Sequence, residues 1–280
     1  MASYMRLCED CDRLQSYPSA CYKLLMGGYD GVFGHLIEPT VNKFSWNDDW
    51  EVNHEHKTVK LLKTTFEKRR DAIDHLLSAE REKGTFRVLN KWTGERFPVF
   101  GPNRELVADI ERSASGLFGT VTYGVQLITY REDEDGLLIW AARRSPKKTL
   151  YPDRLGAGLE SQLVESHAVS VGTISYVTSS EAKTTSGGES GLIRAEIQYI
   201  YDMKVGKDVI PTPNDMEASN ISLYSVNDIK RAPDDGDFTP ANACLMLDFL
   251  IRDGLVTYEN EPRYNEIISR LHRPLGTYTA

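Results

Sequence analysis

The chain has 280 residues, and the ones whose types and spacing could do chemistry gather around one stretch, "LYPDRLGAGLESQLVESHAVSVGTISYV" (150–177). Gly158 is followed by Glu160, Glu165 and His167. Glu165 and His167 lie two residues apart, so either could serve as a general acid or base. Two further acids stand in suggestive places: Glu196 in "AEIQYIYD" and Glu217 in "PNDMEASN". Two such acids together with Glu160 or Glu165 supply enough carboxylate oxygens to hold one Mg²⁺ weakly, but no full ligand set is read and no metal is assigned. Arg143, Arg144, Lys147 and Lys148 in "ARRSPKKTLYP" form a basic run able to hold phosphate, or simply a solvated strand end. Cys8 and Cys11 form a CxxC pair, yet no second pair or paired His follows at a zinc spacing. Leu7, Cys8, Cys11 and Leu14 are better read as one apolar face of an N-terminal helix.

These groups need elements to position them. "TVKLL", "TFRVLN" and "RFPVFG" read as short strands around a helix, "TTFEKRRDAIDHLLSAEREKG". In that helix Thr64 and Glu67 read as a capping box, Phe66, Ile73, Leu76 and Leu77 as the apolar stripe, and Gly84 as the stop. From residue 118 the pattern changes to long alternating strands: "GTVTYGVQLITYRE", a "DEDG" turn, "LLIWAARR", "VGTISYV", "IRAEIQYIYDM" and "NISLYSV". The polar segment 178–191 reads as an exposed loop. Two helices close the chain, one capped by Thr239 with Pro240 first and Gly254 after it, the other opened by Pro262. Strands followed by helices, without βα alternation, make the fold class α+β. We expect two domains, 1–115 and 116–280.

Period-2 alternation places Gln126, Ile128 and Tyr130 on one face of their strand, and Trp140 and Arg144 on one face of the next. Glu196 and Gln198 share a face opposite Tyr199 and Tyr201. Which of these faces lines a cavity stays open at this point.

Composition narrows the partners. Hydrophobic residues make up 40% of the chain and charged residues 26%, as in ordinary globular proteins. The formal net charge of −8 gives no overall attraction to nucleic acid or to an anionic membrane. No apolar run approaches the ~20 residues of a membrane span, and the N-terminus carries acids where a secretory signal needs an apolar core. The expectation is a cytoplasmic protein with a small-molecule partner and no cofactor, and a homodimer is left open.

The segments "GTFRVLNKWTGERFPVFG", "FGTVTYGVQLITY", "GLLIWAARRSPKKTLYPDRL", "VGTISYV", "EIQYIYDM", "PTPND" and "LDFLIRDGLVTYENEPRYNEIISRLHR" run in an order that resembles one family, from about residue 10 to 273. It is the fungal and plant Nudix group related to the thiamine-diphosphate Nudix enzymes, which carries a preceding domain of unknown function. The resemblance implies a Nudix-like mixed-sheet α/β/α sandwich with a smaller N-terminal α+β domain. It also implies a catalytic loop–helix–loop, G-x5-E-x7-R-E-U-x-E-E-x-G-U, between "YPDRL" and "VGTISYV". That spacing stacks glutamates on one helical face to hold Mg²⁺ or Mn²⁺, which neutralises a diphosphate and activates a water.

Here the motif is missing. Only residues 159–171 separate Gly158 from Gly172, and no R-E-x-x-E-E occurs among them. Relative to the family pattern about two dozen residues are gone, enough to remove the whole motif. The shortened connector should then repack, with Leu159, Leu163, Val164 and Val169 turned inward. Glu217 aligns with a loop acid that helps bind metal or water in some Nudix enzymes. The superfamily includes an isomerase branch, so the expected function is a metal-independent enzyme doing proton-transfer chemistry on a small organic metabolite. Its expected catalytic residues are Glu165, His167, Glu196 and Glu217, and its expected binding residues are Arg144, Tyr199, Gln198, Trp140 and Gln126. Fungal proteins of this kind point to natural-product pathways. The alternatives are a residual Mg²⁺-dependent diphosphate hydrolase and a non-catalytic binding protein.

Overall fold

The computed structural model describes residues 4–134, 136–146, 154–156, 167–181, 188–211, 218–232 and 237–280. They form two compact units that interleave along the chain: 14–122 with 177–196 and 274–280, and 1–13 with 123–176 and 197–273. The chain opens with helix α1 (Tyr4–Cys11), which belongs to the second of these units.

The first unit holds β1 (Tyr22–Met26), β2 (Gly34–Leu36), α2 (Glu38–Lys43), β3 (Trp50–Asn53) and β4 (Thr58–Leu61). Its sheet order is β2-β1-β4-β3, with β1 and β4 parallel and the outer pairs antiparallel. Helix α3 (Phe66–Glu82) buries Ile73, Leu76 and Leu77 as its spacing predicts, and Gly84 after it takes φ +66°. The cap falls one residue later than expected. Thr65, not Thr64, accepts from the Lys68 N–H. Strands β5 (Arg96–Phe100) and β6 (Leu106–Glu111) form a separate pair, and α4 (Ser115–Phe118) follows.

"TFRVLN" is not a strand. Residues Arg87–Lys91 form a 3₁₀ turn whose Arg87 and Val88 N–H groups donate to the Glu189 carboxylate at 2.6 and 3.0 Å. Three charged residues lie fully inside this unit. Arg69 donates to the carbonyls of Lys63, Val107, Gly27 and Thr64. Glu80 accepts from the Ser45 N–H and the Thr85 hydroxyl. Glu111 accepts from Thr93, Gly94 and Ser113.

The second unit is built on the strands β7 (Val121–Asp133), β8 (Gly136–Arg144), β9 (Leu155–Gly156), β10 (Val169–Ser179), β11 (Ile193–Lys204) and β12 (Ala218–Ser225). Their order is β10-β11-β7-β8-β12, with β9 against β8. Helices α5 (Val226–Arg231), α6 (Pro240–Arg252) and α7 (Tyr264–Leu271) complete it. Thr239 caps α6, Pro240 is its first residue, and Gly254 takes φ +72° past its end. Helix α7 starts at Tyr264 rather than at Pro262, and Leu14 lies beyond the end of α1 rather than on its face.

One sheet face is covered. Ile128, Ile139, Ala141, Ile174, Tyr176 and Ile200 pack in one core with Leu7 and Cys8 of α1, Leu245, Phe249 and Leu250 of α6, and Ile267 and Leu271 of α7. Asp12, 4% exposed at its side chain, fastens the end of α1 through Arg273 (2.7 Å) and Arg270 (3.3 Å). Cys8, Cys11 and Cys244 are all buried free thiols, and Cys244 donates to the Leu7 carbonyl at 3.4 Å. A thiol–thiol hydrogen bond from Cys244, reinforced by burial, pushes the Cys8 thiol far above its ordinary range. Such thiols behave as core side chains rather than nucleophiles.

The connector of residues 157–166 lies outside the described residues, and Leu159, Leu163 and Val164 with it. Val169, expected inside, is 62% exposed. It begins β10 as an end residue, with alternation carrying burial only from Ile174 onward. In the segment 178–191, Thr178 and Ser179 belong to β10. Ser180 is buried, and its N–H and hydroxyl bond Leu192 and Glu189, so the described part is tied down rather than an open loop.

Candidate functional site

Register decides which side chains share a face, because cross-strand partners point the same way. Trp140 on β8 stands opposite Thr129 on β7 and Leu223 on β12. Ala142 stands opposite Ile221. The neighbouring row is Ile139 with Tyr130 and Tyr224. Tyr130 packs on Phe249 of α6, its ring centroid 5.5 Å away, so the Ile139 row is the helix-covered face. The Trp140 row is therefore the opposite face.

On that opposite face, Trp140 and Ala142 (8% exposed each) form a small apolar cluster with the half-buried Val205, Ile221 and Leu223. Thr129 is 0% exposed at its centre. Alternation adds Arg131 and Tyr123 from β7, Tyr199 from β11 and Arg144 from the end of β8. Tyr123 and Tyr199 stack at 6.2 Å and 16°, which confirms that they share this side. Arg131 donates to the Lys207 carbonyl at 3.3 Å and lies 3.6 Å from the Asp133 carboxylate. The Oγ1 of Thr129, the Nε of Arg131 and the Nε1 of Trp140 are buried and have no hydrogen-bond partner.

The residues expected from the sequence are distributed as follows. Trp140, Arg144 and Tyr199 share the face away from the helices. Gln126 and Gln198 face the helices instead. The Gln126 amide donates to Gln198 at 3.2 Å, and the Gln198 amide donates to the Tyr176 hydroxyl at 3.4 Å. A Cβ on Gly124 would lie 2.1 Å from the Gln198 Oε1, so a larger residue there would push that amide aside. Glu196 belongs to the other compact unit, where it pairs with Arg194 at 3.2 Å. His167 is exposed just before β10. Glu165 and Glu217 lie outside the described residues, as do Lys147 and Lys148. Arg143, on the covered side by alternation, lies 3.9 Å from the Asp237 carboxylate.

Sequence reading missed Thr129, Arg131, Val205, Ile221 and Leu223. The alternation of "TYGVQLITYRE" does carry the signal, since Tyr123, Leu127, Thr129 and Arg131 fall on the face opposite Gln126 and Ile128. Among the described residues no group of three or more His, Cys, Asp or Glu is arranged to hold a metal ion. No helix among them is long and apolar enough to cross a membrane.

Chemically, the face away from the helices offers an apolar floor with donor groups set into it. The indole N–H and the guanidinium N–H can only donate, and the Thr129 hydroxyl can donate or accept. Such a surface suits a small organic molecule with an apolar body and an oxygen acceptor.

Comparison with known proteins agrees with the coarse outline. A family model described as "Domain of unknown function (DUF4743)" matches residues 3–122. The uncharacterized protein YJR142W of Saccharomyces cerevisiae is 27% identical over 301 residues, covering 95% of this chain and 87% of that one. Nudix hydrolases 24 and 20, chloroplastic, of Arabidopsis thaliana are each 24% identical, over 242 and 240 residues. They cover 77% and 76% of this chain, which spans 62% and 60% of their lengths. The chain thus has Nudix hydrolase relatives at low identity. Among solved structures, the Nudix domain of Shewanella oneidensis NrtR, complexed with ADP ribose, overlaps 50% of this chain and 91% of its own (12% identity, TM-score 0.33). The Nudix hydrolase RenU of M. smegmatis overlaps 59% and 98% (10% identity, TM-score 0.31). Likenesses at these scores bear no weight on what the chain does.

Proposed function

We propose that this protein is a Nudix-type enzyme that has lost diphosphate hydrolysis and carries out metal-independent proton transfer, of the isomerase, cyclase or lyase kind, on a small organic metabolite. The observation that carries the reading is the sequence between Gly158 and Gly172, which is too short for the metal-binding helix and contains no R-E-x-x-E-E. Fold does not fix chemistry, so a Nudix scaffold can be put to another use. The Trp140 face supports the reading by offering an apolar surface with embedded donors.

In this reading residues 116–280 carry the chemistry and 1–115 serve as the supporting domain. Arg144, Tyr199 and Trp140 hold the substrate, Gln126 and Gln198 brace the sheet behind it, and Glu165, His167 and Glu217 are the proton carriers, with Glu196, paired with Arg194 in the other unit, kept as a comparison position. A cytoplasmic setting in fungal secondary metabolism fits such a substrate. The test is to find the substrate by comparing metabolites from cells with and without the gene, and then to assay alanine variants of Glu165, His167, Glu196, Glu217, Arg144 and Tyr199. Loss of turnover in at least one proton-carrier variant is expected. Full activity in all six would remove the assignment.

The residual hydrolase remains the second reading, favoured by Arg144 at the end of β8 and the lysines that follow it in sequence. It requires divalent metal binding and release of a monophosphate.

A further inference from the structure

Thr129 and Trp140 are direct cross-strand partners on the face away from the helices, and both are more than nine-tenths buried. Side chains so paired have Cβ atoms about 4.5–5.5 Å apart. Neither the Thr129 Oγ1 nor the Trp140 Nε1 finds a hydrogen-bond partner, and the same holds for the Arg131 Nε two residues along the same face. A buried polar atom left unpaired is destabilising, and native proteins rarely keep neighbouring ones without a use. The Trp50 Nε1 is likewise buried without a partner, so what marks Trp140 is the company of the unpaired Thr129 and Arg131 atoms on one strand face. The Trp46 Nε1 donates to the Val41 carbonyl at 2.9 Å.

We infer that Trp140 and Thr129 form a donor pair for one oxygen of the bound molecule, a carbonyl or carboxylate oxygen, while Val205, Ile221, Leu223 and Ala142 hold its apolar body. The indole N–H has no accepting capacity, so its partner must bring a lone pair. Thr129 sits beside it and turns its hydroxyl hydrogen toward the same oxygen. Arg131 adds a third donor on that row, with its charge already offset by Asp133. The pair is a binding device, not a proton carrier, because neither group titrates near neutral pH. This inference rests on the Trp140 face being the working face of the proposed enzyme.

The test uses the full chain labelled with ¹⁵N and three probes: benzoate, benzamide and toluene. The Trp140 indole resonance is assigned by its loss in Trp140→Phe, and the bonded Trp46 indole is the internal control. Benzoate or benzamide should move the Trp140 N–H downfield, and the stronger of the two tells carboxylate from carbonyl recognition. Toluene should not move it. Thr129→Val keeps the shape and removes the hydroxyl, so it should weaken the effective probe about tenfold while leaving Tm unchanged or raised.

An indole unmoved by both oxygen probes overturns the inference, as ordered water on these atoms would produce. So does an equal shift with toluene, or a Thr129→Val protein that is less stable or unfolded, since that would mean the hydroxyl is already paired within the protein. Metal-dependent diphosphate cleavage would overturn the proposed function and leave the donor pair standing, so the two failures are separable.

Discussion

Replacing Glu111 by Gln tests how much of the first unit hangs on one buried carboxylate. Glu111 is 0% exposed. Its Oε1 accepts from the Thr93 N–H (3.0 Å), the Thr93 hydroxyl (3.2 Å) and the Ser113 N–H (3.2 Å), and its Oε2 accepts from the Gly94 N–H (3.0 Å). Gln keeps one accepting oxygen and turns an NH₂ against a donor on the other side. Hydrogen bonds to a charged acceptor are worth ~1.5–3 kcal/mol each, so one lost bond and weakened neighbours amount to about 3 kcal/mol. For a cooperative unit of this size that lowers Tm by roughly 6–12 °C.

The pH dependence follows. Burial works to raise the Glu111 pKa, but the hydrogen bonds from Thr93, Ser113 and Gly94 outweigh it and hold it below the ordinary 4.5. A carboxyl depressed in the folded state stabilises above its unfolded pKa, and that contribution is lost as pH falls toward the folded value. The Gln side chain does not titrate. Guanidinium unfolding of both proteins at pH 7 and at pH 3.5 should therefore show a gap of about 3 kcal/mol at neutral pH that narrows in acid. A gap under ~0.5 kcal/mol, or one that does not change with pH, would refute the reasoning.

Two further substitutions probe the frame. Asp12→Asn leaves Arg270 and Arg273 facing a neutral side chain in a buried setting, and should cost about 3 kcal/mol and speed hydrogen exchange in α1; a loss under ~1 kcal/mol would count against the clasp. Gly119→Ala and Gly84→Ala both force a side chain onto positive φ, at +59° and +66°, but only the first meets backbone, with its Cβ 2.0 Å from the His35 carbonyl oxygen. Gly84→Ala should cost ~1–2 kcal/mol and Gly119→Ala clearly more, so equal melting temperatures would contradict the packing around His35.

Much of this architecture was legible in the residues. The strands β7, β8, β10, β11 and β12 declare themselves by alternation, and α3 and α6 by an apolar stripe with a cap and a glycine stop. What was not legible depended on distant partners. "TFRVLN" alternates like a strand, yet Glu189, about a hundred positions away, captures its N–H groups in a 3₁₀ turn. Arg69, Glu80 and Glu111 look like surface charges because their partners are mostly backbone groups, which sequence does not display. Alternation separated Tyr199 from Gln198 within one strand, and cross-strand register was needed to set Trp140 apart from Gln126. It took the packing of α1, α6 and α7 to tell which face the helices cover. Thr129 was overlooked for the same reason, since its interest lies in standing beside Trp140 without a partner.

The central claim is that the shortened connector ended metal-dependent hydrolysis. The most direct measurement is phosphate and monophosphate release from thiamine diphosphate by the full chain, with Mg²⁺ or Mn²⁺ and with chelator, alongside calorimetric titration of each metal. The account predicts no metal-dependent cleavage above background and no stoichiometric metal binding. Monophosphate release that requires Mg²⁺ or Mn²⁺ and vanishes with chelator would contradict it.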